Sequence, residues 1–193
     1  LNELNMGTLT ALARTIDAKS SWTAGHSERS TKMAVMIGEA MKLSDKDVHD
    51  LNQGGLLHDI GKLGIPPEIL DKPAKLTPAE RKTMEKHVQL GARILEPISA
   101  YSKIIPIVLQ HHERFNGKGY PDGLEGESIS LGARIFAVAD SFEAMTSDRP
   151  YRKAFDRNDA VGIIEESAGS DFDPQVVKAF LNVMASEARD WDG

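Results

Sequence analysis

The sequence predicts an all-α fold. Three observations carry that reading. Apolar residues recur at helical spacing through most of the chain. No segment alternates convincingly with a period of two. Residues 131–145 are apolar nearly all round, as a buried helix is. At 193 residues, with 40% hydrophobic and 27% charged content, the chain suits one globular domain with a sizeable core. We read residues 1–193 as that single domain.

The first pattern, Leu1, Leu4, Thr8, Leu9, Leu12 and Ile16, opens inside a helix and without an initiator Met. Residues 1–18 are therefore expected to continue an upstream helix, and their amphipathic character suggests a homodimer; simple N-terminal processing is the plainer explanation. Met33, Met36, Ile37, Ala40 and Met41 give the next helix. Residues 45–59 follow, capped by Ser44 or Asp45, with Val48, Leu51, Gly55 and His58 on one face. Thr77, Pro78 and Glu80 supply an N-cap, a proline at the first helical position and an acid at the third. The helix they start carries Met84, His87, Val88, Gly91 and Leu95 on one face. Another carries Ile104, Ile105, Val108, His111 and His112. Residues 114–126, rich in glycine and turn signals, form a loop. After the buried helix, two more run near 158–168 and 174–188.

Composition narrows the function. A net charge of −6 argues against a large nucleic-acid surface, because such binding neutralises many phosphates. A small phosphorylated ligand held by a few basic residues remains compatible. With no cysteine, disulfides, iron–sulfur clusters and thiolate zinc sites are excluded. A metal must take imidazole nitrogen and carboxylate oxygen, which suits Fe, Mn, Zn, Ni or Co. No apolar run reaches transmembrane length and no signal peptide is visible, so a cytoplasmic setting without membrane contact is the default expectation.

The chemistry lies in histidines and carboxylates on otherwise apolar helices. His111 and His112 extend the stripe set by Ile104, Ile105 and Val108, so helical periodicity turns at least one inward. Asp140 lies within the buried helix, where a carboxylate needs a cation or several donors. His58 and Asp59 follow Leu56 and Leu57, and Gly54 and Gly55 before them allow a close helix approach. Taken singly, each has a plainer explanation: a hydrogen-bonded core histidine, an accidental pair, a cap for a neighbouring helix. The recurrence of the same ligand types on several helices suits a multinuclear site that activates water.

A series of ordered motifs extends these residues: Thr23-Ala24-Gly25-His26, Leu56-Leu57-His58-Asp59-Ile60-Gly61-Lys62, His87, and His111-His112-Glu113-Arg114-Phe115-Asn116-Gly117-Lys118-Gly119-Tyr120-Pro121. Ala133 to Asp140, Asp148-Arg149-Pro150-Tyr151-Arg152 and Phe172-Asp173-Pro174 complete it. In this the chain resembles the HD-GYP domains, a bacterial branch of the HD metal-dependent phosphohydrolases, over roughly residues 10 to 185. The resemblance implies an all-α HD bundle with a metal centre in its core and the Gly-Tyr-Pro loop near the active site. It implies hydrolysis of cyclic di-GMP to linear pGpG, and onward to GMP, by attack of a metal-bridging hydroxide.

By position, the resemblance assigns His26, His58, Asp59, His87, His111, His112 and Asp140 as ligands of two divalent ions, iron or manganese, with Asp59 shared. Lys62 would approach the scissile phosphate or the water; its alternative is a surface lysine. Arg149 and Arg152 would contact phosphate. Tyr120 would contact a guanine, or simply pack the loop. Gly117, Gly119 and Gly123 would permit sharp turns, and Arg114 and Lys118 would be solvated. His49 is left as an exposed helix residue. The resemblance further implies an upstream sensor or receiver domain, as in bacterial two-component signalling. Two alternatives stay open: a weakly active sensing module, and a phosphodiesterase for cyclic GMP-AMP. Two departures matter. Three-metal members carry a glutamate where this chain has Trp22, which predicts two ions rather than three. Asn116 replaces a common loop aspartate without being an expected ligand.

Overall fold

The computed structural model describes residues 2–20, 24–148 and 153–191. Among them there is no β-strand, and ten α-helices account for the architecture. They are α1 (Asn2–Asp17), α2 (His26–Ala40), α3 (Asp45–Leu57), α4 (Pro67–Leu70), α5 (Pro78–Glu85), α6 (His87–Leu95), α7 (Ile105–Gln110), α8 (Leu131–Thr146), α9 (Arg157–Glu166) and α10 (Pro174–Trp191). A 3-10 segment, Ile60–Gly64, follows α3.

Local chemistry explains some of the boundaries. The Ser44 side chain accepts from the Asp47 amide and starts α3. Thr77 and Glu80 form a reciprocal capping box at α5, with proline in the first turn. The histidine-bearing helices are shorter than the periodicity predicts. α3 stops at Leu57, so His58 is its C-cap and Asp59 lies beyond it. The predicted helix over His87 is two helices, α5 and α6, interrupted at Lys86. α7 ends at Gln110, placing His111 and His112 in the turn that follows. In each case a ligand-type side chain sits at a helix end, where it can be aimed independently of the apolar stripe behind it.

The packing forms two apolar clusters. One gathers Ala34 and Ile37 of α2, Leu51 of α3, Ile107 of α7, and buried faces of α8, α9 and α10, including Phe136 and Phe180. The other joins Leu9, Ala13 and Ile16 of α1 to Leu56, Leu57, Ile60, Leu95, Ile104 and Val108. No residue of α8 is fully exposed, as its all-round apolar pattern predicts. The α2 face differs from the expected methionine stripe: Ala40 is exposed, and Ser27, Ser30, Thr31 and Ala34 are buried. Small residues there let α2 lie close to α3, where a Cβ on Gly55 would come within 2.5 Å of Thr31 Oγ1 and 2.7 Å of Phe136. His49 is exposed, as expected. No helix of the described residues is long and apolar enough to cross a membrane.

Candidate metal centre

His26, His58, Asp59, His87, His111, His112 and Asp140 converge at the seam between the two apolar clusters. His58 follows Leu57 of one cluster and packs its ring on Phe136 of the other, 4.6 Å between centroids. The imidazoles run in a continuous array: His26 to His58 at 5.3 Å, His58 to His111 at 5.1 Å, and His111 to His112 at 4.1 Å. His87 lies 5.5 Å from His111 and 5.2 Å from His112.

Ligand-type atoms gather into two outer groups, His26–His58–Asp140 and His87–His111–His112, each with its atoms within 4.8 Å of one another. A central group, His58–Asp59–His111, overlaps both. The Asp59 carboxylate faces both ways. Its Oδ2 lies 3.1 Å from His58 Nε2 and 3.9 Å from His26 Nε2, while Oδ1 lies 3.6 Å from His87 Nε2. Gly61 makes this possible: a Cβ there would stand 1.8 Å from the His87 carbonyl oxygen, so only glycine lets the 3-10 segment meet α6. Lys19 reinforces that segment, its ammonium donating to the carbonyls of Lys62, Leu63 and Ile65 at 2.7, 2.9 and 2.9 Å.

Three histidines are oriented by their own backbone. His58, His87 and His111 place Nδ1 against the carbonyl three residues earlier, on Gly55, Met84 and Val108, at 2.7, 2.8 and 2.9 Å. That contact selects the tautomer with the proton on Nδ1 and leaves the Nε2 lone pair facing the centre. His87 Nε2 and His111 Nε2 are buried and have no hydrogen-bond partner. An unsatisfied buried polar atom costs about 1–3 kcal/mol, so these two atoms await an acceptor of their lone pairs. A metal ion meets that need, and the imidazole–carboxylate donor set fits a divalent transition ion.

Electrostatics separates the two outer groups. Burial and neighbouring imidazoles hold His111 well below the usual histidine range, and burial lowers His87. Burial, with His87 adding repulsion, lowers His112 to about 3. Burial thus favours the neutral form of all three rings, which keeps a lone pair for a ligand. At the other pole burial opposes charge on His26, but hydrogen bonds to Asp140 and Glu143 raise it to about 9. Burial disfavours the Asp59 carboxylate, yet its contacts with His58 and Lys62 hold its pKa well below the usual range. Burial likewise opposes Asp140, and its hydrogen bond and charge interaction with His26 keep it ionised.

Around this centre, Lys62 Nζ stands 2.5 Å from Asp59 Oδ2 with its side chain about one-fifth exposed, rather than as a free surface lysine. Tyr120 is half-buried and stacks on His112, 4.8 Å between centroids and 29° between planes. Its loop is held by Glu113, which accepts from the amides of Asp122, Gly123 and Leu124 at 2.7, 3.1 and 3.1 Å. Gly117 and Gly123 have positive φ, as sharp turns require. Gly119 serves close packing instead, since a Cβ there would meet Glu113 Cα at 2.4 Å. Asn116 Oδ1 accepts from the Lys118 amide at 3.0 Å, the contact an aspartate oxygen would make. Lys118 is exposed, and Arg114 pairs with Asp171 rather than standing only in solvent. Trp22, Arg149 and Arg152 lie outside the described residues.

Glu113 and Glu143 are buried acids that sequence reasoning missed. The available signals were positional: Glu113 directly follows His112, and Glu143 lies one helical turn after Asp140.

A family model for the HD domain matches residues 10–176. Over 182 residues the chain is 40% identical to a 3'3'-cGAMP-specific phosphodiesterase of Vibrio cholerae, covering 93% of this chain and 40% of that protein. It is also 40% identical to a cyclic di-GMP phosphodiesterase response regulator of Xanthomonas campestris pv. campestris, covering 94% and 48%. The chain thus spans less than half the length of these curated relatives. A solved cyclic GMP-AMP-specific phosphodiesterase structure from V. cholerae superposes with a TM-score of 0.70 at 21% identity, covering 93% of this chain and 48% of that one. That likeness concerns the fold.

Proposed function

This chain belongs to the HD domain family, and from that premise and the cluster geometry we propose a metal-dependent phosphodiesterase that opens cyclic di-GMP to linear pGpG. The observation that carries the reading is the pair of three-residue groups joined by a third, His58–Asp59–His111, with buried Nε2 atoms of His87 and His111 left unpartnered. His26, His58 and Asp140 would hold one ion and His87, His111 and His112 the second, with Asp59 placed to serve both. Iron or manganese suits these donors best; zinc, nickel and cobalt are acceptable to the same set. The pair of ions supplies activation of water and charge neutralisation at the phosphoryl group.

The chain's own groups bind and orient the substrate. Asp59 fixes the spacing of the two poles from a single carboxylate. Lys62 stands over that carboxylate at the partly exposed edge, where its ammonium can donate to a phosphoryl oxygen. Tyr120 contacts a base from the loop that Glu113 holds, and Arg149 and Arg152 bind phosphate through their planar forks. Two ions rather than three follow from Trp22. The output segment so described works under an upstream sensor or receiver domain in the cytoplasm, and α1, with Leu4 and Leu12 exposed, suits a homodimer contact.

A second reading is cyclic GMP-AMP hydrolysis. It is supported by equal identity, 40%, to relatives named for each substrate. Turnover of metal-reconstituted protein on cyclic di-GMP, 3'3'-cGAMP and cyclic di-AMP separates the two. Tight nucleotide binding with no turnover in Fe- or Mn-loaded protein would instead establish a sensing module. Asp59→Ala is expected to lose both ions and hydrolysis while keeping its helical circular dichroism. Retained turnover in that variant would refute the ligand assignment.

A further inference from the structure

His26 differs from the other oriented histidines in where it stands. His58, His87 and His111 each find a carbonyl three residues back in their own segment. His26 is the first residue of α2, preceded by Gly25 at φ 71°, so α2 itself offers no carbonyl behind it. Its Nδ1 instead contacts Glu143 Oε2 of α8, across 117 positions of sequence.

Glu143 is itself held in place. Its Oε1 accepts from Arg29 Nε at 2.9 Å, Arg29 Nη2 at 2.5 Å and Ser147 Oγ at 2.7 Å. Arg29 lies one turn after His26 on α2, and Ser147 one turn after Glu143, so both helices contribute to the grip. Among these contacts, Oε1 accepts from Arg29 and Ser147 while Oε2 meets the imidazole. The glutamate is 5% exposed, whereas the Arg29 side chain is 53% exposed, so the acid faces the metal pole and its counter-ion faces solvent.

We propose that Glu143 is a positioning residue for the metal pole formed by His26, His58 and Asp140. It fixes the Nδ1–H tautomer of His26, aims Nε2 at the ion, and makes that imidazole a stronger donor than the carbonyl-backed three. The inference rests on the ligand reading above and extends it to a residue outside the ligand set. A carboxylate polarises an imidazole N–H more than a neutral carbonyl does, and losing such a partner typically costs about ten- to a hundredfold in metal affinity. The consequence is selective: only the ion held by His26 should feel Glu143.

The test is stepwise Mn²⁺ binding to the metal-free full chain, followed by calorimetry, with Glu143→Gln, Glu143→Ala, His26→Ala and His87→Ala beside the wild type. His26→Ala and His87→Ala identify which step belongs to which pole. Both Glu143 variants are expected to weaken the His26 step by about ten- to a hundredfold, Ala more than Gln because glutamine retains an acceptor, and to leave the His87 step unchanged. In Zn²⁺-loaded protein the downfield His26 Nδ1–H resonance should be present in the wild type and lost in Glu143→Ala. Equal weakening of both steps would make Glu143 a merely structural residue and overturn the proposal. Unchanged binding in a folded Glu143→Ala would overturn it too. His26→Ala that still binds two ions would instead remove the ligand reading itself, and the inference with it.

Discussion

At the residue scale, burial lowers the imidazoles of one pole while the carboxylates of Asp140 and Glu143 overcome it at His26, and the two poles therefore respond oppositely to pH. His87, His111 and His112 have folded pKa values below the unfolded value, about 3 for His112. Below pH ~6.5 the unfolded chain binds protons that these buried rings refuse, so stability falls as pH drops. His26 is raised to about 9. Its contribution is complete below pH ~6.5 and is lost as pH rises through 9. Metal-free protein should therefore be most stable near neutrality and decline on both sides, as measured by urea unfolding from pH 4 to 10. His26→Ala should flatten the alkaline decline up to pH 9 and keep the acid one. A wild-type profile level between pH 7 and 9 would contradict the role given to His26.

At the element scale, the sequence reveals helices better than helix ends. Apolar spacing identifies α1, α3, α6, α7 and α8, because burying a face is what their residues have in common. Periodicity does not show that α3 stops before His58, that Lys86 splits α5 from α6, or that α7 stops before His111. The 3-10 segment that follows α3 meets α6 at the His87 carbonyl, a tertiary contact that periodicity does not encode. Gly61→Ala tests that contact. Its methyl group would overlap the His87 carbonyl and the Gly91 amide, backbone atoms that cannot move aside without shifting α6. The expected result is loss of the shared Asp59–His87 geometry. The variant should bind at most one ion under conditions that load two in the wild type, and its thermal midpoint should fall. Full two-ion loading would show that α6 tolerates displacement.

At the whole-molecule scale, the identities of the seven clustered residues were legible in the sequence, but their partners were not. The resemblance assigns His26 and Asp140 as ligands, and Glu143 lies one turn after Asp140, yet no sequence spacing sets it behind His26. Their meeting depends on how α2 packs on α8. The centre also lies between two clusters that each carry large, fully buried side chains, Phe136, Phe180, Ile37 and Leu51 in one, Leu57 and Ile104 in the other. Burying each such side chain contributes about 1.5–3 kcal/mol, so helix formation does not depend on the ions. The seam does, because it leaves two imidazole nitrogens unpartnered and sets the Asp59 and Asp140 carboxylates around His26 Nε2. Each ion present at a hundred times its dissociation constant adds about 2.7 kcal/mol to the folded state. For a domain of this size, 1 kcal/mol moves the midpoint by roughly 2–4 °C. Two ions should therefore raise Tm by roughly 10–20 °C over chelated protein, with far-UV circular dichroism unchanged before melting. Asp59→Ala should lose most of that increment, because the carboxylate serves both poles. Equal melting of loaded and chelated wild type would place the ions outside the seam. Collapse of helicity on chelation would show that the two apolar clusters cannot stand without them.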